Sequence, residues 1–268
     1  MIRSLDTVHT QVKQILTEAE MVFRKGFDLR GKILHKQGIQ LSTATLTETD
    51  IRIDAILRTR LQHEFPEIGF ITEETDKNKV QEYNWIIDSV DGTANFAHKI
   101  PICGISIALW KGDNPLYGIV AFPILRETLH SYVGKGIFLN GKRVPQIKFQ
   151  SGPFHYLTLN HVGDDKERIA VYLAIAKVTV PLNFSCATYQ GCLTALGRTD
   201  GWIVVNLPIW DIAAVLLFAK EAGLHCEWVS AKPSPFQKEV RGYKNTFVIA
   251  KRELALTVAN KIRVILKS

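Results

Sequence analysis

Residues 85–98 read WIIDSVDGTANFAH, an apolar run that stops at Asp88, meets a second acid at Asp91 and breaks at Gly92-Thr93. If Trp85, Ile86 and Ile87 form a buried strand, Asp88 emerges at its end and Asp91 projects from the following turn. Gly92 and Thr93 then open a short helix whose first N–H groups have no intrahelical partner. Two carboxylates this close repel each other unless a cation lies between them, and hard oxygen ligands suit Mg²⁺. Helix N-terminal N–H groups hold phosphate oxygens. The local chemistry is that of metal plus phosphate, although the same residues also make ordinary turns and either acid alone can cap the helix that follows.

Two other segments offer further acids. FITEETD places Glu73 and Glu74 directly behind a strand-like run, fifteen residues before Asp88, a spacing compatible with a return to a neighbouring strand. WDIAAVLLFAKEAG begins a long apolar helix with Asp211, which in isolation reads equally well as an N-cap.

The elements that must position these acids follow from periodicity. Leu5, Val8, Val12, Ile15, Ala19 and Val22 recur at steps of three or four and predict an amphipathic first helix. Residues 26–49 are polar and loosely patterned. DIRIDAILRTRLQHEF sets Ile53, Ile56, Leu57 and Leu61 on one side of a second helix that Thr49 or Asp50 would cap. IGFIT, WIID, CGISIALW, LYGIVAFP and TLHSYVG read as strands joined by turn signals, and GKGIFLNGKRV reads as a hairpin around Asn-Gly. From about residue 150 the pattern turns to helices at AVYLAIAKV and TYQGCLTALG, a strand at GWIVVN, the Asp211 helix, a strand at NTFVIA and a terminal helix through Ile265. Gly197 and Gly223 fall where helices want left-handed C-terminal glycines. Ser151-Gly152-Pro153 is the best punctuation, which divides the chain into two α/β lobes, residues 1–150 and 151–268.

Composition narrows the class. The 268 residues are 46% hydrophobic and 22% charged, ordinary for a globular chain with a large core. No apolar run approaches the roughly 18 residues of a membrane span, and Asp6, Lys13 and Glu18 interrupt any secretory signal, so the expected location is cytoplasmic. Cys103, Cys186, Cys192 and Cys226 form no C-x-x-C pair and are expected to be reduced, mostly buried thiols. The net charge of +7 would attract phosphorylated metabolites or nucleic acid. Its basic residues are scattered, and short clusters such as Lys32 to Lys36 and Lys251-Arg252 lack the interleaved aromatics of a strand-binding groove. A dedicated nucleic-acid face is therefore not expected.

ITEET, WIIDSVDGTANFAHKIPICGISIAL, GKGIFLNG and WDIAAVLLFAKEAG resemble, in that order, the successive signatures of the inositol monophosphatase family of Mg²⁺-dependent, lithium-sensitive phosphatases. The resemblance implies a layered α-β-α-β-α sandwich, usually a homodimer, acting on a small phosphorylated metabolite at a site between the lobes. It also implies that Glu73, Asp88 and the carbonyl of Val90 bind one Mg²⁺, that Asp88, Asp91 and Asp211 bind a second, and that Glu73 helps hold a third. Thr93 would position the attacking water. Asp50, twenty-three residues before Glu73 as in the family, would accept a hydrogen bond from the threonine hydroxyl. The N–H groups of Gly92 and Thr93 would grip the phosphate.

Most metal ligands thus fall to the first lobe, while Asp211 and the wall of the substrate pocket fall to the second. Glu74 would stand behind the ligands, Trp85 and Trp210 would anchor their segments, and His98 would face either the pocket or solvent.

Several departures bear on the substrate. Ser89 stands where the family generally has proline, a change expected to loosen the metal loop. The acid that recognises inositol hydroxyls lies seven residues before the W-D aspartate, and here that position is Val204. The small-residue segment lining the sugar pocket reads SCAT, Ser185 to Thr188, with Cys186 and Ala187 at its centre. Losing a buried acceptor removes charge-assisted hydrogen bonds worth roughly 1.5–3 kcal/mol.

The expected function is hydrolysis of a phosphorylated polyol or sugar, with fructose 1,6-bisphosphate, histidinol phosphate or 3′-phosphoadenosine 5′-phosphate as alternative substrates on the same fold. A weakly active RNA- or protein-binding module is the reading from another class. Asn95-Phe96 matches the inositol phosphatase branch. The haloacid-dehalogenase motif D-x-D-G-T is excluded, because Asp88 and Asp91 are one residue too far apart.

Overall fold

The computed structural model describes residues 4–29, 33–35, 45–74, 80–145, 155–162, 165–229 and 245–266. Strands β1 (Ile33–His35) and β2 (Thr45–Thr47) pair with each other. Seven strands form one sheet in chain order: β3 (Gly69–Thr72), β4 (Tyr83–Asp91), β5 (Gly104–Lys111), β6 (Asn114–Phe122), β7 (Glu127–Tyr132), β8 (Ile137–Leu139) and β9 (Lys142–Arg143). Neighbours in it run antiparallel, except that β3 is parallel to β4. A second sheet has the order β11 (Val180–Leu182), β10 (Tyr156–His161), β12 (Gly201–Leu207), β14 (Asn245–Ala250) and β13 (His225–Trp228).

Side-chain alternation along the strands builds the layers. On β4, Trp85 and Ile87 face one core while Ile86, between them, faces another; Ile107 and Leu109 part from Ala108 on β5 in the same way. The first core is closed by α1 (Leu5–Leu29) and α2 (Glu48–Glu64), through Val8, Val12, Ile15, Phe23, Ile53, Leu57 and Leu61. The middle core holds α5 (Ala187–Ala195) and α6 (Ala213–Glu221) between the two sheets. Outside the second sheet, α4 (Asp165–Ala176) and α7 (Arg252–Leu266) complete a third core with Val171, Ile175, Val258 and Ile262. The result is the expected α-β-α-β-α sandwich. Each of these aliphatic or aromatic side chains contributes ~1.5–3 kcal/mol on burial, which is why helices of modest intrinsic propensity persist.

Residue size fixes how closely α6 can lie on the seven-stranded sheet. A Cβ on Gly118 of β6 would stand 3.3 Å from both Cα and Cβ of Ala214, so glycine opposite alanine lets helix and strand nearly touch. That contact holds the turn carrying Asp211.

Several expectations are met. The Asn140-Gly141 turn between β8 and β9 has φ of 49° and 77°, as a two-residue hairpin loop requires. Gly197 and Gly223 close α5 and α6 with φ of 68° and 73°. All four cysteines are free thiols, and all but the half-buried Cys226 are buried.

Other expectations need correction. The second helix is capped by Thr47, not Thr49 or Asp50: Thr47 and Asp50 form a reciprocal capping box, which makes Asp50 the third helical residue. Asp211 is not an N-cap, since α6 begins at Ala213 with Ile212 in the cap position. Strands β10, β11 and β13 were absent from the sequence pattern. In β10, Leu157 and Leu159 are buried on one side, but Thr158 and Asn160 are buried on the other, which disguises a two-sided core strand as a half-exposed one. The Ser151-Gly152-Pro153 boundary and the Lys32 and Lys36 positions of the first basic cluster lie outside the described residues.

Candidate active site

Strand register brings the first two acids together. Ile71 of β3 lies opposite Ile86 of β4, Thr72 opposite Ile87, and both isoleucines of the first pair point into the middle core. Two residues further along β4, Asp88 follows on that same face, and Glu73 comes directly after the end of β3, near enough for its charge to act on Asp88. Asp211, in the turn leading into α6, is near enough for its charge to act on Asp88 as well.

Asp91 joins them because β4 is irregular. Asp88 lies opposite Ser106 and Asp91 opposite Gly104, so three steps on β4 match two on β5. In a regular strand, residues three apart face opposite sides of the sheet. The extra residue cancels that parity and returns Asp91 to the face of Asp88. Inside the bulge, the Val90 N–H donates to Asp88 Oδ1 at 3.0 Å. Ser89 is also there, buried, with a hydroxyl that has no hydrogen-bond partner among the described residues.

Asp88 is 1% exposed. Burial pushes its carboxyl well above the usual carboxylate range, and the charges of Glu73, Asp91, Asp211 and Glu74 push it further. Four acids from three parts of the chain therefore stand within electrostatic reach of one buried carboxylate. Such a group is costly unless a cation offsets it. Among the described residues, no three acids, imidazoles or thiols are drawn in closely enough to grip an ion by themselves. Asp91 shows one reason, being turned toward the start of α5: Oδ1 accepts the Ala187 N–H at 3.0 Å, and Oδ2 accepts the Thr188 N–H at 2.6 Å, its hydroxyl at 2.5 Å and the Cys186 thiol at 3.1 Å. The donor set fits a hard divalent cation, being all carboxylate and carbonyl oxygen. The neighbouring thiols do not compete, because burial first and the charge of Asp91 second push Cys186 up, and burial with Asp91 and Asp50 pushes Cys103 up to about 12.

Beyond the bulge, Gly92 adopts φ of 79° and caps the short helix α3 (Thr93–Ala97). A Cβ there would come within 3.0 Å of the Ile102 carbonyl and 3.1 Å of Cys186 Cβ, so both conformation and space require glycine. The Thr93 hydroxyl lies 2.8 Å from the Val90 carbonyl and 3.2 Å from Asp50 Oδ1. Asp50 Oδ2 meanwhile accepts the Thr47 N–H at 3.0 Å and the Thr47 hydroxyl. Burial raises the Asp50 carboxyl from 3.8 to about 6, opposed by the Thr47 hydrogen bonds and assisted by the charge of Glu73. One carboxylate thus starts α2 and faces the motif threonine.

Asp50, Glu73, Glu74, Asp88, Val90, Asp91, Gly92, Thr93, Cys186, Ala187 and Asp211 thus lie around one region. Val204 is placed differently. It is fully buried in mid-strand, opposite Phe247 of β14 and beside Asn160 of β10, and offers no surface to a substrate. His98 is exposed, while Trp85 and Trp210 are buried packing residues. Sequence reasoning missed Gln190 altogether and used Asn95 only as a motif letter. Both are buried side-chain amides, and a polar residue at an apolar helix position was the available signal.

A model of the inositol monophosphatase family matches residues 4–263. Inositol monophosphatase 1 of Solanum lycopersicum is 32% identical over 216 residues, 75% of this chain and 77% of that protein. The solved structure of an IMPase/NADP phosphatase complexed with Mg²⁺ and phosphate superimposes with a TM-score of 0.82, covering 97% of this chain and 96% of that one at 18% identity. A staphylococcal inositol monophosphatase-1 soaked in LiCl as an inhibitory complex gives 0.83 over the same shares, also at 18% identity. At these identities the two structures speak for the fold.

Proposed function

Because this chain belongs to the inositol monophosphatase family, and so is a phosphoric monoester hydrolase, we propose that it is a Mg²⁺-dependent phosphatase of small phosphorylated polyols or sugars. The observation that carries this reading is the buried Asp88 carboxylate ringed by Glu73, Asp91, Asp211 and Glu74. Glu73, Asp88, Asp91, Asp211 and the Val90 carbonyl are the groups that would hold two or three Mg²⁺ ions. Bound there, the metal would neutralise phosphate charge and lower the pKa of a coordinated water. The chain's own contribution is orientation. Asp50 accepts from the Thr93 hydroxyl, leaving the threonine oxygen to receive a hydrogen bond from the water. The N–H groups of Gly92 and Thr93 face the phosphate, and Cys186 and Ala187 border the alcohol.

The buried, apolar Val204 supports a relaxed preference rather than strict selection of inositol 1-phosphate. The test is a panel of inositol, sugar, glycerol and nucleotide monophosphates assayed with Mg²⁺, with EDTA and with added lithium. Phosphate release that needs Mg²⁺, spans several polyol esters and falls with lithium is the expected result. An inactive enzyme across the panel would overturn the reading.

We also propose a homodimer of two-lobed subunits, working in the cytoplasm. Ile169, Tyr172 and Leu173 form an exposed apolar stripe on α4, 55%, 47% and 57% accessible, next to the edge strand β11. A stripe at this spacing on an outer helix is the kind of face that oligomers cover. Sedimentation velocity should give twice the 30.2 kDa chain mass, falling to one chain in Leu173→Lys.

A further inference from the structure

We propose that Gln190 is a positioning residue for this site, holding the 183–186 loop between the interior of the second sheet and the phosphate-binding turn. The proposal rests on the phosphatase reading above. Both main-chain polar groups of Phe184 are taken by side-chain amides from different layers. Its N–H donates to Gln190 Oε1, and its carbonyl accepts from Asn95 Nδ2 at 2.7 Å. Gln190 is fully buried on α5, and its Nε2 donates to Asn160 Oδ1 of β10, which also accepts the Trp202 Nε1–H at 2.8 Å. Asn95 lies on α3, two residues past Thr93, and its Nδ2 reaches the Ile102 carbonyl at 2.8 Å as well.

The chain of contacts thus runs from Trp202 and Asn160 through Gln190 to Phe184, and from Phe184 through Asn95 to the helix that opens at Thr93. Its midpoint is the loop that delivers Cys186, Ala187 and Thr188 to Asp91. Ser185, in that loop, has φ of 52°, a conformation a serine keeps only when its surroundings enforce it. Buried amides at fixed spacing supply that enforcement, because leaving any one donor or acceptor unpaired costs the full desolvation of the group. Gln190 touches no reacting atom. It fixes the distance between the surface that faces the phosphate, at Gly92 and Thr93, and the surface that borders the alcohol, at Cys186 to Thr188. Specificity for the alcohol, rather than hydrolysis itself, is what that distance governs.

The test compares two substrates in the full-length enzyme with Mg²⁺: inositol 1-phosphate, which needs the alcohol wall, and p-nitrophenyl phosphate, whose activated leaving group depends on it less. In Gln190→Leu the ratio of kcat/KM between them should fall about tenfold, mainly through a higher KM for the polyol ester. Thr194→Val is the control. From the last turn of the same helix its hydroxyl meets Thr199 at 2.9 Å and the Gln190 main-chain carbonyl at 3.4 Å, but neither the Gln190 side-chain amide nor the loop, so its loss should lower stability while leaving the ratio unchanged. Gln190→Asn, one methylene too short to span both partners, carries the same test if the leucine variant does not fold. An unchanged ratio in an active Gln190 variant would sink the positioning role alone, as would an equal fall in Thr194→Val. A wild type inactive on both esters would instead sink the phosphatase reading and this inference with it.

Discussion

Asp88→Asn should abolish Mg²⁺-dependent phosphate release while raising the melting temperature of the metal-free protein. The asparagine keeps the shape and an oxygen to accept the Val90 N–H, and removes a charge that burial and four neighbouring acids all oppose. A folded carboxyl whose pKa lies above its unfolded value binds its proton more tightly in the native state, so the ionised group lowers stability at neutral pH. Neutralising it relieves that penalty. The loss of function comes from the same change, because the cation would lose the carboxylate at the centre of its ligand set. Metal-based charge stabilisation amounts to several kcal/mol, which at about 1.4 kcal/mol per factor of ten means a loss of at least about a thousandfold in kcat. Thermal melts in EDTA and in Mg²⁺ check both halves. The wild type should gain stability with the metal, ~2.7 kcal/mol at a hundred times its Kd, and the variant should gain almost none. A variant that melts lower in EDTA, or still turns over, would contradict the assignment of Asp88.

Asp50→Asn tests the second machinery. A carboxylate that polarises the threonine hydroxyl does so through a charge-assisted hydrogen bond that only the ionised form makes, so wild-type kcat should lose about tenfold per pH unit below an acid limb near 6. Charge near Glu73 contributes to that raised value, and saturating Mg²⁺ should draw the limb lower. In Asp50→Asn the limb should disappear and the rate fall by roughly 10²–10⁴, the range for a lost acid–base group. Stability should move the other way. With a folded value of about 6 above an ordinary 3.8, the metal-free wild type loses ~3 kcal/mol as pH rises through that window and is best below it. In denaturant titrations from pH 4 to 7 the asparagine variant should show a shallower slope than the wild type, keeping only the part that the raised Asp88 carboxyl contributes. A slope equal to that of the wild type would assign the Asp50 part to another group.

Much of the layering was legible because it rests on alternation. Ile86 between Trp85 and Ile87, or Ala108 between Ile107 and Leu109, announces a strand buried on both faces through residue type alone. Glu73 and Asp88 were visible for a related reason, since an acid at the end of such a run has few ordinary roles. What remained hidden depends on partners far away in the chain. Nothing near Asp91 indicates that its carboxylate meets the N–H groups of Ala187 and Thr188, more than ninety residues on. Thr158 and Asn160 look like solvent-facing positions, yet Gln190 and Trp202 satisfy them inside the core. Thr47 escaped as the cap of α2 because Thr49 and Asp50 offer the same chemistry two and three residues later. Only backbone geometry separates them.

The bulge in β4 turns the spacing of the motif into a question of counting. An even interval between acids, as in D-x-D, sets both on one side of a straight ribbon with no further device. An odd interval such as Asp88 to Asp91 does so only where the ribbon carries one surplus residue. The two spellings are therefore alternative solutions to a single geometric problem, each tied to its own backbone. Deleting Ser89 would convert one spelling into the other, straightening the ladder and leaving both carboxylates on the same side. What it would remove is the local kink that folds the Val90 N–H back onto Asp88 Oδ1.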